Sequence, residues 1–239
     1  MEHALAPLKV AVVTPYFAET LAMLREAHDS VLAQTYPCRH ILIADGRPKS
    51  EVDDWNAQHI VLGHNHADVG STPALVGAAA AAFQGYDLIA LLDSDNWYRR
   101  DHVQTVVELH QRTGAVFIST SRMLCRLDGS VMAPCPTTDP ERFIDTSCMA
   151  YAREAFPLLT YGVTLPDYAQ PVNDRCNYQH VLASGVSRAH SPEATVFYRC
   201  GKAGIYQQLG EPVPPGVIAP PDYPAIFARW AAEGRAPLI

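Results

Sequence analysis

Two carboxylates one residue apart, Asp93 and Asp95 in the run Asp93-Ser94-Asp95-Asn96, carry the clearest chemistry in this chain of 239 residues. Neighbouring carboxylates can reach one hard cation, and Mg²⁺ or Mn²⁺ takes oxygen ligands together with substrate phosphates. A cation held there would neutralise a departing diphosphate. An Asp-x-Asp can also be a surface turn or a helix N-cap. The setting favours chemistry, because the pair directly follows the most apolar run of the chain, residues 87–92, and adjacent carboxylates at a buried rim repel unless a cation or donor compensates. Asp45 is a second candidate, able to accept hydrogen bonds from a nucleobase or ribose. With Gly46 it also makes an ordinary turn dipeptide. Trp97 can stack on a sugar or base or fill the core. His64 and His66 flank Asn65 and look like a metal pair, but without a third ligand they read as a solvated turn. Arg99 and Arg100 read as a surface pair leading into a helix.

The elements that position these residues alternate in a βαβ manner through the first half. Residues 9–13 are a short β-branched run opening into a loop at Thr14-Pro15, and residues 40–44 are the next strand, ending at Asp45-Gly46. Leu21, Leu24, Ala27, Val31 and Leu32 between them fall at helical spacing, up to Pro37. A short helix over 53–59 and a strand over 60–62 follow. Thr72 then reads as an N-cap with Pro73 at the first helical position, ahead of an alanine-rich helix to about Phe83. Residues 87–92 read as a strand covered on both faces. In open α/β sheets, ligands bind outside the carboxyl ends of the parallel strands, so the three polar strand ends should face one crevice.

The second half reads as α+β, with helices at 101–113, 153–159 and 173–184, a hairpin around Asp128-Gly129 and a strand at 194–199. Six prolines from Gly210 through Pro224 predict an extended arm before a last amphipathic helix at 225–232. The organisation expected is a first half over 1–112, a second half over 113–205 and a Pro-rich arm with a short helix over 206–239.

Eighteen Lys and Arg against 25 Asp and Glu give a formal charge of −7, which argues against a nucleic-acid partner because phosphate neutralisation needs clustered cations. The six cysteines contain no CxxC pair, so neither a zinc knuckle nor a disulfide scaffold is indicated, and a reducing cytoplasm is expected. Residues 1–8 show no basic flank before a long apolar stretch, and nothing later reaches the ~18 apolar residues a span requires. The expectation is a soluble protein that can still work beside a membrane.

The stretches Val10-Ala-Val-Val-Thr-Pro-Tyr16, Ser30-Val-Leu-Ala-Gln-Thr-Tyr-Pro37, Ile41-Leu-Ile-Ala-Asp-Gly46 and Leu91-Leu-Asp-Ser-Asp-Asn96 together resemble the family-2 glycosyltransferases of GT-A fold. The resemblance is close over about the first 100 residues and loose to about residue 200. It implies a Rossmann-like mixed central sheet, mostly parallel and flanked by helices, with a small α+β acceptor-side portion. It also implies an inverting transfer from a nucleotide-sugar donor, most simply a UDP-sugar, to a carbohydrate or glycoconjugate hydroxyl, with Mn²⁺ or Mg²⁺ as cofactor. Donor contacts would come from Thr14, Pro15, Tyr16, Glu19, Asp45, Gly70, Asp93 and Ser94, the metal would sit on Asp93 and Asp95, and Asp174 would be the base. By itself, Asp174 after Pro171 is also a capping residue at a helix start.

The chain departs from the family at Gly70-Ser-Thr-Pro-Ala-Leu-Val-Gly77, where relatives usually carry an Arg-Asn pair, and at Tyr198-Arg199-Cys200-Gly201, where many carry a His. His190 is the available substitute for that third ligand. A catalytically inactive binding or scaffold protein of the same fold competes with the enzyme reading. A nucleotidyltransferase would want a Gly-rich basic loop after the first strand, and an aspartyl phosphatase would carry Asp-x-Asp on that strand; this chain has neither.

Overall fold

A computed structural model describes residues 7–238, so the first six residues, part of the segment read above for a leader, lie outside the described residues. In chain order the elements are β1 (Val10–Tyr16), α1 (Leu21–Leu32), β2 (Cys38–Asp45), β3 (Gln58–Leu62), α2 (Ser71–Phe83), β4 (Leu88–Leu91) and β5 (Trp97–Tyr98). Then come α3 (His102–Thr113), β6 (Phe117–Cys125), β7 (Val131–Pro134), β8 (Met149–Ala152), α4 (Thr160–Val163), α5 (Asn173–Ser184), β9 (Arg188–Arg199), α6 (Ala203–Leu209) and α7 (Tyr223–Ala232). One mixed sheet runs in the order β3-β2-β1-β4-β8-β6-β9-β5, with β7 paired to β6 off this path. The β3-β2-β1-β4 half is parallel, β8 is antiparallel to both β4 and β6, and β9 runs parallel to β6. This is the mixed α/β architecture expected. Among the described residues no helix is long and apolar enough to cross a membrane.

The parallel half reads as continuous apolar runs because both of its faces are covered, and Val10 to Val13, Ile41 to Ala44 and Leu88 to Leu91 are all buried. Helix α2 comes very close to it. A Cβ on Gly77 would stand 2.5 Å from both Val13 Cγ1 and Ile43 Cδ1, so the small residues of this helix are set by close approach to β1 and β2. Helix α1 buries Leu24, Ala27, His28 and Val31, and Thr20 Oγ1 accepts from the Met23 N–H at 3.2 Å to cap it.

Several local expectations change. Strand β1 continues through Thr14, Pro15 and Tyr16, paired with β2 as far as Tyr16 opposite Ala44. Its β4 pairing stops at Val13, so Pro15 sits where one ladder has already ended and its missing N–H is tolerated. Helix α2 starts at Ser71, with Gly70 at φ +87° as the cap residue, and Thr72 lies in the first turn. Asp68 Oδ2 supplies the cap instead, accepting from the Thr72 N–H at 2.8 Å and its hydroxyl at 2.5 Å. The helix expected at 53–59 is a 3₁₀ turn at Ser50–Asp54, and Arg153–Leu159 is 3₁₀ around Pro157. The arm after Gly210 is irregular up to α7, as its prolines demand.

Candidate active site

The carboxyl ends of β1, β2 and β4 open onto one cavity of about 380 Å³, within the range of small-molecule sites. Pro15, Tyr16, Asp45, Asp93, Asp95 and Asp174 all line it, so the three strand ends meet as expected and the first turn of α5 faces them.

The Asp93-Ser94-Asp95-Asn96 turn alternates, with Ser94 and Asn96 buried and the two aspartates partly open to the cavity. Two residues hold it in that pose. Ser147 Oγ accepts from the Asp93 N–H at 3.1 Å and from Asn96 Nδ2 at 2.9 Å, and donates to Asp93 Oδ2 at 2.9 Å. Its one donor and two acceptor positions are thereby used. On the other side, Arg199 Nε donates to the Asp95 carbonyl at 3.1 Å, and the Arg199 N–H donates to Asn96 Oδ1 at 2.9 Å. Arg199 is itself fixed by Glu26 and the Leu127 carbonyl. Neither role is visible in the sequence, where Ser147 is an unremarkable Ser and Arg199 only the second residue of a Tyr-Arg pair.

Burial holds the Asp93 carboxyl well above its ordinary range, and the neighbouring Asp145 and Asp95 add to the shift. Burial and then Glu19 push Asp95 up to about 6. The cavity is lined by Glu19, Asp45, Asp93, Asp95, Asp145 and Asp174, against Lys202 as the one Lys or Arg among the described residues that line it. Asp145 is paired with the buried Arg122. Negative charge at this rim is therefore in excess, which suits an incoming cation. Among the described residues no set of three or more His, Cys, Asp or Glu could hold a metal alone. The donors at hand, two hard carboxylates, fit Mg²⁺ or Mn²⁺ of the kind that completes its shell with phosphate oxygens and water.

Other expected contacts fall differently. Thr14 is fully buried with its hydroxyl 2.9 Å from His40 Nε2, so its side chain points away from the cavity. Tyr16 lines the cavity while its hydroxyl sits 2.7 Å from His59 Nε2 and accepts from the Lys49 N–H at 3.1 Å. Glu19, Gly70 and Ser94 also line the cavity, and Glu19 accepts from the Phe17 N–H at 2.8 Å. Asp45 is 5% exposed and engaged at both oxygens by His66, whose N–H donates to Oδ2 at 3.1 Å and whose Nδ1 lies 2.6 Å from Oδ1. His66 is thus the partner that orients Asp45, which corrects the solvated-turn reading; a carboxylate at a strand end needs donors, and the loop after β3 brings one back to it.

His190 bonds Ser119 Oγ at 3.0 Å and does not line the cavity, so it supplies no third ligand. Trp97 stacks on Phe197 at 5.4 Å with Arg199 over its ring, which is the packing role. Arg99 is tied to Asp101 and Glu193 at the surface. Asp174 occupies the first turn of α5, where its Oδ1 accepts from the Arg175 N–H at 2.7 Å while the residue lines the cavity. The capping and cavity-facing readings coexist in one side chain.

No curated protein matches the chain at a significant level. Among solved structures it is similar to S. aureus TarS 1-349 in complex with UDP, at TM-score 0.62 and 12% identity over 80% of this chain and 60% of that one. The same fragment in complex with UDP-GlcNAc gives 0.62 and 12% over 80% and 58%, and S. aureus TarS gives 0.61 and 12% over 84% and 38%. The chain thus spans less than two thirds of the length of these neighbours, and at such identity the likeness is one of fold. A family model described as Glycosyl transferase family 2 matches residues 11–160, more than half of the chain, a stretch that includes Asp45, Asp93 and Asp95. The chain belongs to glycosyl transferase family 2.

Proposed function

We propose that this glycosyltransferase moves a sugar from a UDP-sugar to an acceptor hydroxyl with inversion, using a divalent cation on Asp93 and Asp95 and Asp174 as base. The observation that carries the proposal is the placement of two strand-end carboxylates and a third, on a facing helix, around one cavity. Two of the structural neighbours were solved with UDP and UDP-GlcNAc, which supports uridine diphosphate as the carrier.

Inversion needs one displacement. The Asp174 carboxylate takes the hydroxyl proton as the acceptor oxygen attacks the anomeric carbon, and the bond from that carbon to the diphosphate oxygen breaks. A single base suffices, unlike the carboxyl pair of a glycosidase. Bound Mn²⁺ or Mg²⁺ would supply positive charge to the leaving diphosphate. Ser147 orients the Asp93 carboxylate and Arg199 holds the Asp95 backbone, so little reorganisation of the turn accompanies donor binding. Lys202 adds a positive charge to the cavity lining.

The test is turnover of a panel of UDP-sugars, read as UDP release with Mn²⁺ present. At least one sugar should be hydrolysed or transferred, and Asp93→Ala or chelation of the metal should lower the rate at least about 100-fold. Turnover indifferent to both would remove the metal from the mechanism, and no turnover of any sugar would favour the inactive scaffold.

A further inference from the structure

We infer that His59 and Asp53, which lie outside the cavity, are positioning residues that lock the Tyr16 ring in place as a wall of the donor site. This rests on the proposed use of the cavity for a nucleoside diphosphate donor, and it concerns how that site keeps its shape rather than which atoms react.

Tyr16 ends β1 at the cavity and yet is only 2% exposed, because it packs in a cluster with Leu24, Leu42, Ala44, Val52 and Trp55. The side chain thus belongs to the core and to the cavity at once. In the strand order β3-β2-β1 its phenol reaches past β2 to His59 of β3, and the two rings stack at 5.9 Å with 18° between their planes. The His59 side chain is 6% exposed and that of Asp53 67%, so the link to the phenol is buried and the carboxylate supports it from the surface.

The hydrogen bonds along this line run one way. The Lys49 N–H donates to the phenol oxygen at 3.1 Å, and the phenol O–H is left for His59 Nε2 at 2.7 Å. His59 Nδ1 lies 2.6 Å from Asp53 Oδ1, and an ionised carboxylate only accepts, so Nδ1 carries the ring proton and Nε2 is free to accept. Burial holds the Tyr16 phenol above its usual value; the Lys49 N–H acts against this, and Asp53 and Glu51 act with it, so the hydroxyl keeps the proton that it donates. Lys49 and Asp53 stand at the start and near the end of the 3₁₀ turn Ser50–Asp54, so one turn supplies both ends of the network. A ring pinned at its hydroxyl needs no ordering when the donor arrives, and fixing one side chain in advance is worth about two- to ten-fold in affinity.

The full chain is titrated with UDP by calorimetry in the presence of Mn²⁺, and thermal unfolding of each variant shows that it is folded. Tyr16→Phe, which keeps the ring and its packing, and His59→Leu should each weaken UDP binding about two- to ten-fold. The double variant should lose no more than the larger single loss, because both changes break the same link. Asp53→Ala should lose part of the affinity, and Asp53→Asn, whose amide oxygen still accepts from Nδ1–H, should restore it. With a UDP-sugar that is turned over, the loss should appear in KM and leave kcat within about two-fold. A role in packing alone would lower the unfolding temperature and leave UDP affinity untouched. That result, losses that add in the double variant, a loss in kcat rather than KM, or equal affinity of Asp53→Ala and wild type would overturn the inference. Wild type that binds no UDP would overturn the transfer reading and this inference with it, whereas UDP binding that ignores all of these variants overturns this inference alone.

Discussion

At the scale of single residues, the site depends on groups that satisfy the cavity carboxylates rather than on the carboxylates alone. Ser147 holds one side chain and two N–H donors at once, so its loss is felt at three places. Ser147→Ala should cost about 1–3 kcal/mol in denaturant-measured stability, because buried donors at Asp93 and Asn96 lose their acceptor. It should also weaken Mn²⁺-dependent UDP binding by roughly 10-fold or more, as loss of a group that orients a metal ligand does. Stability and affinity both unchanged would show that Ser147 plays no part. The sequence exposes Asp93 and Asp95 because an apolar run ends on them. It conceals Ser147, Arg199 and His66, whose partners lie 54, 104 and 21 positions away, since no local pattern records a contact made only by folding.

At the scale of elements, α1 and β2 meet through a buried pair of imidazoles. His28 Nδ1 and His40 Nδ1 are 2.9 Å apart, and His40 Nε2 is 2.9 Å from the Thr14 hydroxyl. One ring must donate and the other accept, so at least one is neutral, and burial favours the neutral form of both. Burial lowers the pKa of each; Asp29 acts against it at His28, while Arg25 and Arg39 near His28, and His28 near His40, act with it. A folded value below the unfolded one, about 6.5, means that the stabilisation is complete above pH 6.5 and is lost as pH falls through the folded value. The difference in unfolding free energy between wild type and His28→Gln should therefore shrink from pH 7 to pH 5, by up to about 1.4 kcal/mol per pH unit. Taking the difference cancels the cavity carboxylates, whose raised values act in the opposite sense. A pH-independent difference would mean that the pair is not neutral when folded. The strands and helices were legible from apolar periodicity, but element ends were not. Thr72 looked like a cap because Pro73 follows it, whereas a carboxylate four residues upstream does the capping from outside the helix. Pro15 looked like a strand end and lies inside β1, because a proline stops only the ladder that needs its N–H.

At the scale of the molecule, one sheet brings the carboxyl ends of β1, β2 and β4 to one cavity, and helix α5 faces them with Asp174. A net charge of −7 excludes broad attraction of phosphates, so the diphosphate of the proposed donor must be met by local charge, and among the described residues the cavity offers one lysine and six carboxylates. A divalent cation on Asp93 and Asp95 is what would make this cavity a diphosphate site. Calorimetric titration of UDP, with and without Mn²⁺, checks this in wild type and Asp95→Asn at pH 7.5, above the value of about 6 to which Asp95 is raised. UDP should bind at least ten-fold more tightly with Mn²⁺ in wild type, and Asp95→Asn should lose most of that gain; UDP binding equally tight without metal, or a gain undiminished in the variant, would rule the metal site out.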